Sequence, residues 1–397
     1  MTQHYSSSIR TSVRSALGRA AALGVAGGMP LSWTGYRGVP RETVQKYFER
    51  HGDRPAGSYE TVHPETVTSN ALPRNVFSRD ELPADRGWWG YSFHDVPERT
   101  SDETFIATLP SCLIYWYRDP GKDNDFYPAI INADNRALDM REVRFRSLHS
   151  AALRRAPAPV RLKRATWFAE RCYHNHSHWL TAHLPKVLLL RKRGLLDQTL
   201  LPPERTTAMD GSLRMLGLDP DAFRTYDPER PLLVEELTIL GTDRFRPELL
   251  QMVPEAFGIL SHERPERRVY ISRQGAGRRR LVNEEDVWAL LQPLGFERVL
   301  MEKMSFAEQV ALMRETAVLV APHGAGLTNM MFCPSGAQIV EIADLSFPNP
   351  NFYALASAMG HHYWIVRAES VGDAHPLEKN LRVDAAAVRE ILRRSCG

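Results

Sequence analysis

The sequence predicts an α/β protein of two domains behind an N-terminal extension, and three observations carry that expectation. Its 397 residues exceed the length at which a single hydrophobic core keeps growing. From residue 267 onward, short apolar strands alternate with helical patterns, the sign of a parallel sheet with crossover helices. Before that point 50–90, dense in Pro, Gly and charges with no sustained period, and 154–165, rich in Pro and Arg, interrupt the regular pattern. The expected divisions are an extension or arm over 1–100, a first α/β domain over 101–255, a second over 256–368 and a helical tail over 369–397.

The extension opens with "SIRTSVRSALGRAAAL", a basic stretch followed by an apolar run that Arg19 breaks well short of the roughly 18 residues of a membrane span. It lacks the clear apolar core of a secretory signal. A surface helix explains it, with peripheral contact at a membrane surface as the alternative, because the arginines give it a basic face. The stretch 50–90 is expected to be an extended arm. From about 103, "TFIATLPSCLIYWY" and "FYPAIINADNRALDM" are strand-like, with Asn-Ala-Asp-Asn as the turn signal. "WLTAHLPKVLLLRKRG" has helical spacing, ends at Gly194 and is expected to bend at Pro185. "TLLPPE", "SLRMLGL" and "PLLVEELTIL" follow as strand, helix and strand.

In the second domain "RRVYIS" (267–272) is a strand, and "NEEDVWALLQPLG" (283–295) is a helix with Asn283 as its cap and Gly295 past its end. "ERVLM" is the next strand. Ser305 and Glu308 form a capping box for the helix that follows. "VLVAP" (318–322) and "AQIVEI" (337–342) are buried strands, "NFYALASAMG" is a helix and "HYWIVRA" is a fifth strand. Five strands joined by right-handed crossovers make a nucleotide-binding type of sheet.

Composition narrows the partners. A 43% apolar chain is not a disordered one, and a net charge of +3 is too small to imply a nucleic-acid partner. Cys112, Cys172, Cys333 and Cys396 show no CxxC spacing, so a reducing compartment, the cytoplasm, is expected.

Chemistry is concentrated in "HGAGLTNMMF", between the strand "VLVAP" and the next element. Gly324 and Gly326 let a ligand approach the backbone at the carboxyl end of a parallel strand, where unsatisfied amides and the helix dipole favour an anion. Thr328 and Asn329 add polar side chains, and a diphosphate is the natural occupant. A plain tight turn is the alternative. An oxyanion-hole reading of the same turn needs a Gly-x-Ser-x-Gly elbow, which the chain lacks.

These residues resemble the carboxy-terminal region of glycosyltransferase family 61. Ile271-Ser272-Arg273, the Ser-Phe-x-Glu-Gln start at 305–309, Pro-His-Gly-Ala-Gly-Leu-x-Asn at 322–329 and Glu341-Ile342 occur in the family's order and spacing. The resemblance covers 269–342 strongly and 173–190 more weakly. It implies a GT-B architecture, two Rossmann-like domains facing across a cleft. It also implies inverting transfer from a nucleoside-diphosphate sugar, with a UDP-sugar the expected donor, to a glycan or other hydroxyl acceptor. No metal or other cofactor is implied, and the family's setting suggests bacterial surface polysaccharide synthesis at the inner membrane surface. Carried over by position, Arg273 is the phosphate clamp, and His323, Gly324, Ala325, Gly326, Leu327, Thr328 and Asn329 line the diphosphate turn. Glu341 is expected to meet the ribose hydroxyls, with a buried structural role as its alternative. Gln309 belongs to a family motif that helix packing explains nearly as well.

Four histidines, His174, His176, His178 and His183, crowd "CYHNHSHWLTAHLPK". In an extended chain the first three share a face and suggest a metal; in a helix His174 and His178 stand together instead. The family pattern here is Asn-x-x-His-[Trp/Phe/His]-x-x-Asp-x-x-Pro, matched at Asn175, His178, Trp179 and Pro185. His178 is thus the first candidate for the catalytic base, with His183 or an acid from elsewhere as alternatives and plain packing as the bland reading; Asn175, Trp179 and His183 fall on the acceptor side. Ala182 stands where the family's acid is expected. That departure motivates the alternative of a nucleotide-sugar-binding protein without turnover.

Overall fold

The computed structural model describes residues 39–52, 57–87, 89–119, 125–153, 156–259 and 265–395. The basic N-terminal segment, and with it the expected membrane contact, lies outside the described residues, as does Cys396. Among the described residues no helix is long and apolar enough to cross a membrane.

The first sheet has the order β1 (Arg41–Glu42), β7 (Ala137–Leu138), β6 (Asp125–Ile131), β5 (Thr104–Asp119), β9 (Leu232–Gly241) and β8 (Val160–Trp167). β5 is its axis, antiparallel to β6 on one edge and to β9 on the other, while β8 runs parallel to β9. A parallel, Rossmann-like first domain was the expectation, and the mixed sheet departs from it. The connection from β5 to β6 is too short for a parallel crossover, so the two strands must run antiparallel. "TLLPPE" supplies only isolated bridges at Thr199 and Leu200 rather than a strand.

Part of the expected arm belongs to this sheet. β6 pairs with Leu113–Asp119 of β5, and β2 (Ser58–His63) pairs antiparallel with Thr104–Thr108, so β2 fills the edge that β6 leaves open. The chain then crosses to the second sheet. Arg74 N donates to Tyr363 O at 2.7 Å, and the Asn75 side chain brackets Ile365, donating to its carbonyl at 2.8 Å and accepting from its amide at 3.1 Å.

The second sheet has the order β11 (Phe296–Val299), β10 (Arg267–Ile271), β12 (Thr316–Pro322), β13 (Gln338–Asp344), β14 (His362–Val371) and β15 (Asn380–Val383). The first five are parallel, as the alternating pattern predicts, and β15 adds an antiparallel edge within the segment expected to be purely helical. The Ser305 capping box forms, but Asn283 does not cap its helix. Its side chain instead bonds the backbone of Val383 in both directions, fixing β15. The strand order reverses between β10 and β12, the switch point outside which such sheets bind ligands. One continuous apolar core links the two sheets, and a smaller one covers the far face of the second.

Candidate functional site

Arg273 follows β10 and the turn at Gly324 follows β12, so the switch point brings them together. The guanidinium donates through Nε to Arg279 O at 3.1 Å and through Nη2 to Arg278 O at 2.9 Å. Its Nη1 lies where a side chain on Gly324 would begin: a Cβ there would sit 1.9 Å away. Gly324 has an extended φ of 170°, so space rather than backbone conformation requires the glycine.

The turn continues as a 3₁₀ helix, Ala325–Phe332, whose first backbone bond is Leu327 N to Gly324 O at 2.9 Å. The amides of Ala325 and Gly326 precede that bond and are available to a ligand. Leu327 and Thr328 are instead packed into the core, and the Thr328 hydroxyl finds no partner among the described residues. Asn329 is fully buried as well: its Oδ1 lies 3.0 Å from His176 Nε2, and its amide donates to Gln309 Oε1 at 3.0 Å. Gln309 in turn donates to the carbonyls of Met301 and Met304. Both polar groups of the Asn329 side chain are thus engaged by the protein.

Glu341 takes the structural role. It is fully buried, its carboxylate accepting from Tyr363 Oη at 2.5 Å and contacting His323 Nδ1, while Asn349 Nδ2 donates to His323 Nε2 at 3.1 Å. Both oxygens are thus engaged by side chains from the protein.

The histidine segment is wound, not extended. Asn175 Oδ1 accepts from Ser177 N at 2.9 Å and His178 N at 3.3 Å, starting a turn at His176–His178 that widens into a π-helix over Trp179–His183 before the helix Leu184–Lys192. Leu184 N bonds Trp179 O, and the expected bend at Pro185 takes the form of this wide turn, since proline has no N–H to continue the ladder. No group of three potential metal ligands occurs among the described residues. Trp179 is buried with its indole N–H on Ser212 Oγ at 2.8 Å. His183 is buried too: Nε2 accepts from Glu170 N at 3.0 Å, so Nδ1 carries the proton and donates to His178 O at 2.9 Å. Neither Trp179 nor His183 keeps a polar atom for an acceptor, and Ala182 is buried beside them.

His174 and His176 line a cavity of about 360 Å³ together with Arg273, Gly326 and Asn329. His178 lines a different one of about 980 Å³, with Arg99, Arg141, Arg244 and Asp102. Arg244 Nη1 lies 3.3 Å from His178 Nε2, and His178 Nδ1 has no partner among the described residues. Burial, then the charges of Arg244 and Arg141, hold the imidazole well below its ordinary pKa. Asp102 faces the same cavity with its carboxyl raised, first by burial and then by Asp243. Sequence reasoning missed Asp102, Arg244 and the bridging role of His176, since each depends on contacts between distant segments.

Residues 176–340 match the family model Glycosyltransferase 61. Three curated relatives agree. A beta-1,2-xylosyltransferase, XAX1, of Oryza sativa subsp. japonica is 34% identical over 35% of this chain and 25% of its own length. The EGF domain-specific O-linked N-acetylglucosamine transferase of Drosophila melanogaster is 36% identical over 20% of this chain and 16% of its own. A beta-1,2-xylosyltransferase of Arabidopsis thaliana is 30% identical over 21% and 18% respectively. The chain thus spans a quarter or less of the curated relatives it matches.

Proposed function

We propose that the protein is an inverting, metal-independent glycosyltransferase that moves a sugar from a nucleoside-diphosphate sugar, in our reading a UDP-sugar, to a hydroxyl of a glycan. The observation that carries this is the crevice at the β10/β12 switch point, where Arg273 and the amides of Ala325 and Gly326 offer a diphosphate both a fork and a dipole end. Such groups stabilise a leaving diphosphate electrostatically, the work a metal does elsewhere. In this reading residues 256–368 are the donor side and 101–255 the acceptor side of a GT-B-like cleft, and the 980 Å³ cavity takes the acceptor.

His178 is the proposed base. Deprotonating the acceptor oxygen as it attacks the anomeric carbon needs the Nε2 lone pair, which Arg244 now faces, so Arg244 must turn toward substrate as the acceptor arrives. Surface polysaccharide synthesis at the cytoplasmic face of the inner membrane is the proposed setting. The second reading, donor binding without turnover, draws on Ala182 at the family's acidic position.

A thermal-shift panel of UDP-, GDP-, CMP- and dTDP-sugars tests the donor site, because a ligand that binds the native state raises its melting temperature. A shift with UDP-sugars, lost in Arg273→Ala, is expected; no shift with any of the four sinks the proposal. Transfer assays with the responding donor then separate turnover from binding alone.

A further inference from the structure

Arg244 lines the larger cavity and is only 7% exposed. Its Nε donates to Thr181 Oγ1 at 2.6 Å, Nη2 donates to Ser177 Oγ at 2.7 Å, and Nη1 faces His178 Nε2, while the Phe245 ring lies 4.9 Å from the guanidinium carbon. All four partners are neutral. Among the described residues no carboxylate lies within ion-pair distance of it.

The other arginines of this cavity are matched. Arg86 pairs with Asp95 at 3.0 Å, Arg99 with Asp243 at 2.7 Å, Arg141 with Glu170 at 2.8 Å and Arg171 with Asp125 at 2.8 Å. A buried ion without a counter-ion is costly, and a guanidinium in that state is suited to receive an anion as a two-pronged fork. Arg141, although paired with Glu170, has an Nε without a partner among the described residues. Glu98, Asp102 and Glu142 line the cavity too and repel an anion, so the unpaired Arg244 is what favours one there.

We infer that the larger cavity recognises an anionic substituent, a carboxylate or phosphate ester, on the transferred sugar or on the glycan that receives it, and that Arg244 grips this group. The inference rests on the proposed function in one respect: the donor diphosphate is taken to occupy the other cavity, at Arg273. Its consequence is a link between recognition and chemistry. When Arg244 turns to the anion, its Nη1 leaves His178 Nε2, so the Nε2 lone pair is freed when the correct substrate is present.

Calorimetric titration of the full chain with methyl β-glucuronoside, inorganic phosphate and methyl β-glucoside, beside a parallel titration with UDP, tests this. The wild-type protein should bind the glucuronoside or phosphate at least about tenfold more tightly than the neutral glucoside, the scale of one charge-assisted hydrogen bond. Arg244→Gln should abolish that preference and leave UDP affinity unchanged. Equal binding of anionic and neutral probes by the wild type overturns the inference without recourse to any variant, as does a preference that survives in Arg244→Gln. Comparing UDP-glucuronate with UDP-glucose then assigns the source: a tenfold preference that depends on Arg244 puts the anion on the transferred sugar, and equal affinity puts it on the acceptor. Loss of UDP binding alone, with the glucuronoside still bound through Arg244, defeats the donor reading and leaves this subsite standing.

Discussion

His176 Nε2 and Asn329 Oδ1 lie 3.0 Å apart across the two halves of the molecule, one from the turn after Asn175 and the other from the 3₁₀ helix after β12. Through Gln309 the contact reaches the carbonyls of Met301 and Met304, so one hydrogen-bonded chain runs along part of the wall of the smaller cavity.

Replacing His176 with Ala leaves the buried Asn329 carbonyl without its partner. The expected cost is about 1–3 kcal/mol of stability, the usual range for an orphaned buried polar group. Urea denaturation should show it, accompanied by weaker UDP binding because the donor-side wall is loosened. An unchanged midpoint would remove the bridge from the account.

Gly324→Ala tests the close approach of Arg273. The extended backbone accepts alanine, but its Cβ would lie 1.9 Å from Nη1, so the guanidinium must move. UDP affinity should fall by about tenfold or more, on the scale of one hydrogen bond to a charged group, with the near-ultraviolet circular dichroism retained. Wild-type affinity in this variant would show that Arg273 does not hold the donor.

His178→Ala should lower turnover by about 10²–10⁴-fold while UDP binding stays close to wild type, as removal of a general base does. Asp102→Asn is the natural competitor, since Asp102 is a carboxyl with raised proton affinity at the same cavity. A larger loss of turnover there than in His178→Ala would transfer the proton-accepting role to Asp102.

Acid should destabilise the fold through three buried histidines. Burial lowers His149, His183 and His361 to about 4 in the folded protein, below the ordinary 6.5. The unfolded chain therefore binds more protons between those values, so stability is fully present above about pH 6.5 and is lost as pH falls toward 4. Each histidine contributes a slope of at most about 1.4 kcal/mol per pH unit. Urea midpoints at pH 7, 5.5 and 4.5 should fall in that order, and a flat profile would contradict the buried neutral state.

The second sheet was legible because its information is local: β10 to β14 are short apolar runs, each separated from the next by a helix with its own signals, such as the Ser305 capping box. The first sheet was not, because its order depends on which residues of the long β5 face β6, β2 and β9, a matter of register between distant segments. The same limit applies to the site. Arg273 and Gly324 sit at strand ends that a parallel sheet aligns automatically, whereas Arg244 acquires its meaning only when the turn at His176–His178 and the π-helix after it bring Ser177, His178 and Thr181 around it.

In a helical turn, residues two apart point about 200° away from each other, at 100° per residue. His176 and His178 therefore face separate cavities, whereas in an extended strand they would project from the same side like teeth of a comb. What winds the segment is the Asn175 side-chain Oδ1 accepting from Ser177 N and His178 N. A single capping amide thus decides whether these histidines make a chelating comb or a partition, and in this protein it makes a partition.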